Sequence, residues 1–525
     1  MSKIFQSWTD LPQDSGCIRN LNQMRNWLRE CEEGDDRCKI GRTMDYLPTR
    51  VLDVSRQEDK VFVTEGERCE KGPYITLSHC WGESHPIQTT TMTLPVFRTQ
   101  GIPLSSLPKT FREAVFVTRY LGCPYLWIDS LCIIQGDRED WAMEAPRMAD
   151  VYSNSHVTIA ATASATGSGG LFYQNNETQV KYTVRRKRKD GTPIEIYVRP
   201  ALNHSVYDLG PIDPPNPLYP MPLLRQSWFF QEHMLSPRML YFTNWEILWQ
   251  CRERSTCICE VRNYRDVAQK PHLKKRFEEQ LVLNRSTSLQ LLWCDIVTWY
   301  SERQLTFDSD KLAALAAVAK LLSNTALGRY ASGLWESRID AGLLWNVKGP
   351  LVGFDGEPID SRRSTDLSMP SWSWASIIGP VSLDIGTGLA KDFEVVDILY
   401  GPDSGKSLLE ASATAIIIHG LLCECKVWDS GAVNGRRSDR YNYRLIRGPG
   451  MEKDYEFQAD VASEVSCGRN EAMTAYVLNI TGERGVVLRK LDTEEGTYRR
   501  IGDIGYQVGM PVTRLTYTHA VLKLV

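Results

Sequence analysis

Long apolar runs are missing from this sequence. The most apolar stretch, Ala413 to Cys423, is interrupted by His419 and Gly420 and is about half the length a membrane-spanning helix needs. It reads as a strand, and a membrane span is not expected. The opening residues Met1-Ser2-Lys3-Ile4-Phe5-Gln6 begin no secretory leader, so the chain is expected to stay inside the cell, in the cytoplasm. An excess of one charge is also lacking: the formal net charge of −3 sets up no general field toward nucleic acid or an anionic membrane, and neither is expected as a partner. The 14 cysteines are scattered through a large chain without a leader, which argues against a disulfide framework. Cys31 and Cys38 flank an acidic turn, but two thiolates with no second pair nearby do not complete a four-ligand site, so no metal is expected. Gly167, Gly169 and Gly170 follow a strand-like run, yet neither the full spacing of a dinucleotide loop nor a following helix accompanies them. No repeat of fixed period occurs either.

What is present is the material of a folded protein. With 525 residues, 42% of them hydrophobic, and 15 tryptophans, the chain can build two to four packed units. Residues 1–73 read as a lead-in, with Leu21, Met24, Trp27 and Leu28 on one face of a helix over Ile18 to Cys31. From Tyr74, short apolar runs alternate with helical segments, the pattern of a parallel sheet with covering helices. Tyr74 to His79 reads as a buried strand ending at the turn Cys80-Trp81-Gly82. Thr110-Phe111-Arg112-Glu113 has capping-box spacing before a helix that Gly122 stops. Tyr125 to Ile128 reads as a second strand with Asp129 at its carboxyl end, where α/β proteins place functional groups. A helix is predicted over Glu139 to Tyr152, disturbed by Pro146, and a third strand over Val157 to Ala161. The basic run from Arg185 to Lys189, followed by Asp190-Gly191, reads as a solvated hairpin tip, with a nuclear-localisation or nucleic-acid role as the sharper alternative. A β-α-β domain over 74–260, a helical region over 261–375 and a β-rich domain over 376–525 complete the division. Asp308-Ser309-Asp310 marks a helix start in the second of these.

Leu77-Ser78-His79-Cys80-Trp81-Gly82, Leu107-Pro108-Lys109-Thr110-Phe111 and Leu126 to Gln135 occur in this order. Asp140-Trp141, Met148, Tyr152, Ile159-Ala160-Ala161, Gly170-Leu171-Phe172 and Arg225 to Glu232 follow them. Together these blocks resemble the signature of the fungal heterokaryon-incompatibility (HET) family, with the HET segment running from about Tyr74 to Glu232. Tyr300-Ser301, Gly333-Leu334-Trp335 and Pro370-Ser371-Trp372-Ser373-Trp374-Ala375 are later blocks of the same kind. The chain departs from the family at Asp35, where such proteins often carry a histidine between the two cysteines.

The resemblance implies a role in fungal self/non-self recognition and programmed cell death. It also implies a TIR-like, flavodoxin-like core, since HET segments are thought to be distantly similar to TIR domains, some of which hydrolyse NAD through one glutamate. Such TIR domains carry a tryptophan four residues before that glutamate, and here Trp228 stands four before Glu232. Glu232 is then the candidate catalytic carboxylate, with Asp129, His79 and His233 in supporting roles. Ser78, Trp81 and Trp228 are the candidate substrate contacts. NAD enters as a substrate, and no bound cofactor is expected. The plainer readings are that Glu232 pairs with Arg225 or Arg238, that Asp129 caps its own turn, that the tryptophans fill the core, and that histidines such as His79 are hydrogen-bonded structural residues. Three functions follow: an NAD-consuming death effector, a non-enzymatic module acting through oligomers or a protein partner, and an enzyme of secondary-metabolite biosynthesis.

Overall fold

A computed structural model describes residues 12–34, 38, 46–82, 87–174, 182–187, 190–198, 221–259, 273–348, 351–352, 358–359, 361–383, 392–401, 413–428, 443–447, 455–461, 464, 472–481, 483–492, 494–505 and 515–525. The chain forms two compact units, the first ending at Lys275 and the second running from Arg276 to Val525. Among the described residues, no helix is long and apolar enough to cross a membrane, and every cysteine is a free thiol.

The first unit begins with α1 (Ile18–Gly34), which buries the predicted face of Leu21, Met24, Trp27 and Leu28 together with Cys31. The chain continues through β1 (Arg50–Asp53), β2 (Lys60–Glu65) and β3 (Tyr74–Ser78), then α2 (Leu94–Thr99), β4 (Ile102–Pro103) and α3 (Lys109–Tyr120). Next come β5 (Tyr125–Trp127), α4 (Asp129–Cys132), α5 (Arg138–Glu144), α6 (Met148–Ser153) and β6 (Val157–Ala160). The last elements are the hairpin β7 (Tyr182–Lys187) and β8 (Pro193–Val198), α7 (Ser227–Leu235), β9 (Arg238–Phe242), β10 (Ile247–Cys251) and β11 (Ser255–Cys257).

Nine of these strands form one sheet in the order β11-β10-β9-β6-β3-β5-β1-β2-β4. The predicted strands near residues 75, 126 and 158 are β3, β5 and β6, and with β9 they run parallel. Every residue of β3 and β6 is buried, as expected of strands covered on both faces. Even their polar members are paired internally: the hydroxyls of Thr76 and Thr158 lie 2.7 Å apart.

The expected parallel sheet is present in these four strands, and among the described residues the other strands of this sheet are antiparallel, so the sheet is mixed. β1 and β2 pair antiparallel, as do β9 with β10 and β10 with β11. The chain between each pair is too short to hold a parallel crossover, so a hairpin is the only connection available. The stretch read as a lead-in thus contributes two strands to the sheet. In chain order the parallel strands stand second, first, third, fourth across the sheet. The chain leaves β3 toward β5 and leaves β6 toward β9, so the strand order reverses between β3 and β6, the position at which doubly wound sheets carry a binding crevice.

Two local expectations changed. The capping box does not form: α3 starts two residues earlier than a Thr110 cap would set it, at Lys109 behind Pro108, and no side chain caps it. Thr110 and Glu113 instead hold the segment after β6, the hydroxyl accepting from Gly170 N at 3.0 Å and the carboxylate from Phe172 N at 2.9 Å. The helix predicted over 139–152 is divided into α5 and α6 by a single 3₁₀ turn, Ala145–Arg147, which contains Pro146. The hairpin is present, with Lys187 opposite Pro193 and Arg185, Arg186 and Lys187 exposed.

The second unit begins within the helix Leu273–Leu283 and continues with the helices Ser286–Ser301 and Asp310–Ser323, then short two-stranded ladders, then an eight-stranded sheet between Glu394 and Leu524. Ser309 precedes the third helix without a side-chain cap, because Asp308 is turned to Arg362. The later sequence blocks form this unit's tryptophan core. Gly333, at φ +96°, offers its carbonyl to the indole N–H of both Trp293 (3.0 Å) and Trp374 (2.8 Å). A Cβ there would lie 2.7 Å from the Trp374 nitrogen, so only glycine fits.

Candidate functional site

The site is built where β3 and β5 end. β3 delivers Ser78 as its last residue, and the chain then turns through His79, Cys80 and Trp81 to Gly82. Gly82 adopts φ +73°, and a Cβ on it would lie 2.6 Å from Thr166 Cγ2, so glycine sets the direction in which Trp81 leaves the sheet. On the neighbouring strand, Asp129 opens α4 directly beyond β5.

The third component is α7, a helix buried on every side but the one that carries Trp228. Trp228 is its one half-buried residue; all the others, Glu232 included, are buried. Residues four apart share a helix face, so Trp228 stands one turn from Glu232 on the partly exposed side.

Glu232 has no basic partner among the described residues. Its carboxylate accepts the hydroxyl of Ser78, and Tyr152, from the end of α6, bonds to it as well. The ion pairs considered from the sequence are not made: Arg238 turns instead to Cys31 Sγ and the His156 carbonyl. Burial pushes the Glu232 carboxyl up to about 7, the nearby Asp129 adds to the rise, and the hydrogen bonds from Ser78 and Tyr152 oppose it. Cys80, beside this carboxylate, is pushed up to about 12 by burial and then by the charge of Glu232.

Asp129 lies on the outer side of the cluster, its side chain 25% exposed. It accepts the indole N–H of Trp81 at 2.8 Å and the backbone N–H of Ser130 at 2.7 Å. Trp81 is therefore held by a carboxylate rather than buried as core. His79 sits behind the pair, Nδ1 3.9 Å from Asp129 Oδ1, with its ring edge-on to Phe111 at 4.9 Å. Neither of its ring nitrogens has a hydrogen-bond partner among the described residues, and burial pushes its pKa below the ordinary imidazole range.

Five of the residues named from the sequence thus converge: Ser78, His79, Trp81, Asp129 and Glu232. His233 does not join them. It lies in a separate buried network, with Nδ1 2.8 Å from the hydroxyl of Tyr241, which also bonds Gln250. Tyr152 was not named as a site residue. Its place among the blocks that carry the family resemblance is the one sequence signal that sets it apart from a core aromatic, and its ring packs edge-on to Trp127 at 5.7 Å.

The arrangement places a desolvated carboxylate, two hydroxyl donors and an outward indole-carboxylate pair at the carboxyl ends of β3 and β5. Such a carboxylate can accept hydroxyls or face a developing positive charge. Among the described residues, two other groups bring three ligand-type atoms together: Cys31, Cys38 and Cys251, and Glu246, Cys257 and Cys259. Cys251 escaped the sequence reading because it lies far along the chain from the other two.

Residues 74–232 match the family model described as heterokaryon incompatibility protein (HET). The match begins on the first residue of β3, ends on Glu232, and leaves out β9 to β11 of the same sheet. It supports reading the chain as a HET-domain protein. No curated protein and no solved structure matches.

Proposed function

We propose that this chain is a heterokaryon-incompatibility-type protein acting in self/non-self recognition and programmed cell death in the cytoplasm, and that its HET segment works by cleaving NAD. The carrying observation is Glu232, buried, without a basic partner among the described residues, and already accepting two hydroxyl groups. A ribose presents the same chemistry, two hydroxyl donors beside the carbon that becomes cationic. The second-first-third-fourth order of the parallel strands agrees with the doubly wound flavodoxin order and supports a TIR-like reading of the core.

In this reading the flat base stacks on Trp81 or Trp228, and the ribose enters the crevice with its hydroxyls toward Glu232. The bond from C1′ to the nicotinamide nitrogen breaks, and its electron pair leaves with nicotinamide. Glu232 faces the oxocarbenium-like carbon, as carboxylates do in glycoside cleavage. Water adds to C1′ and loses a proton, giving ADP-ribose. His79, held neutral by burial, serves as packing beside Asp129 rather than as an acid. A protein partner or self-association supplies the trigger.

Pure full-length chain incubated with NAD is expected to release nicotinamide and ADP-ribose, read by chromatography. Glu232→Ala is expected to lower the rate by about 10²-fold or more, the range seen when one transition-state contact is removed. Equal rates from wild type and a folded Glu232→Ala variant, with circular dichroism as the check on folding, would overturn the nucleosidase reading.

A further inference from the structure

Cys31 in the last turn of α1, Cys38 beyond it, and Cys251 at the end of β10 bring their sulfur atoms within 4.8 Å of one another. All three are buried. We propose that these three thiolates hold a zinc ion, with a solvent-derived ligand in the fourth position, and so fasten α1 to the antiparallel side of the sheet.

The spacing fits. Zinc–sulfur bonds of about 2.3 Å in a tetrahedron place the sulfurs about 3.8 Å apart, a small side-chain adjustment from the separation present. The electrostatics fit more closely. Arg238, at the start of β9, is 1% exposed, and its Nε donates to Cys31 Sγ at 3.1 Å. Its other bond, Nη1 to the His156 carbonyl at 3.2 Å, is to a neutral group. Among the described residues no carboxylate pairs with this guanidinium. A buried cation needs an anion, and a zinc ion with three thiolates carries one net negative charge. Arginine and centre together are then neutral, and the N–H···S bond is the outer contact that metal-bound thiolates ordinarily receive. Copper(I) on the same three thiolates would leave a negative charge in excess. Three neutral thiols would leave the arginine unmatched.

The second group does not compete. The sulfurs of Cys257 and Cys259 stand 3.1 Å apart, closer than two ligands of one zinc ion, and Glu246 already accepts the Cys259 N–H at 2.9 Å. The ring centroids of Trp27 on α1 and Trp249 on β10 are 6.4 Å apart, so the proposed ion reinforces an existing packing contact.

The full chain, grown with added zinc and purified under reducing conditions without chelator, is expected to carry one zinc ion by plasma mass spectrometry. Exchange with cobalt(II) is expected to produce thiolate-to-cobalt charge-transfer absorption. Cys38→Ser should lose the metal and that absorption while keeping the circular dichroism of wild type, and Cys257→Ser should keep both metal and absorption. The proposal is overturned by a wild-type chain that takes up neither zinc nor cobalt. It is equally overturned by copper(I) in place of zinc, by a disulfide among the three cysteines in the metal-free chain, by Cys38→Ser retaining its zinc, or by Cys257→Ser losing it.

Discussion

Glu232→Gln keeps the shape of the side chain and an oxygen that can accept from Ser78 and Tyr152, and removes only the charge. In the folded chain the carboxyl titrates at about 7 instead of 4.5, chiefly because it is buried. Between those two values the native state holds a proton that the unfolded state has lost. The stability this proton contributes is fully present below about pH 4.5 and is lost as the pH rises through 7. At about 1.4 kcal/mol for each pH unit, the buried charge costs about 3 kcal/mol at pH 8. Glutamine has no such dependence. Urea unfolding of wild type and Glu232→Gln at pH 4.5 and pH 8, followed by tryptophan fluorescence, should show the variant gaining about 3 kcal/mol on wild type between the two conditions. Other titrating groups are common to both chains and cancel. The same variant should lose nicotinamide release, so that stability rises where activity falls, as at a site kept for function rather than for packing. A stability difference that does not change with pH, or that changes in the opposite sense, refutes the reasoning.

Gly82→Ala forces a left-handed backbone on alanine and sets its Cβ against Thr166. A loss of about 1–2 kcal/mol is expected in urea unfolding, together with slower NAD cleavage as Trp81 moves off Asp129. Asp140→Ala strands Arg50, whose Nη2 now lies 2.6 and 2.5 Å from the two carboxylate oxygens in a buried pair. A loss of about 3–5 kcal/mol is expected, and Arg50→Met in the same chain should recover part of it.

The parts legible in sequence were those governed by local physics. β3, β5 and β6 are apolar runs because both their faces are covered, and Pro146 divides its helix because it lacks an N–H. Asp129 and Ser78 could be named because functional groups gather at carboxyl ends of parallel strands, where a ligand can approach. The antiparallel flanks were not legible. A short apolar run such as Ile247–Cys251 has the same composition whether its neighbour runs with it or against it, and only the length of the connecting turn decides. The capping box failed for a related reason: Thr110 and Glu113 carry the right groups at the right spacing, but the segment after β6 offers backbone N–H groups that no local pattern reveals.

The partner of Arg238 is the instance with the largest consequence. In sequence the nearest anion is Glu232, six residues earlier, and pairing the two is the economical reading. The sheet decides otherwise. Arg238 opens β9 and turns to α1, where Cys31 receives its Nε–H, while Glu232 one helical turn back meets the end of β3. A single choice of direction thus shapes both candidate sites. It leaves Glu232 without a counter-cation among the described residues, and burial raises its pKa to about 7. It also sets a guanidinium that no described carboxylate matches against a cluster of thiols, which is the condition for holding them as thiolates around a metal ion. Had Arg238 faced Glu232, the carboxylate would be an ordinary buried ion pair and the cysteines an ordinary apolar cluster.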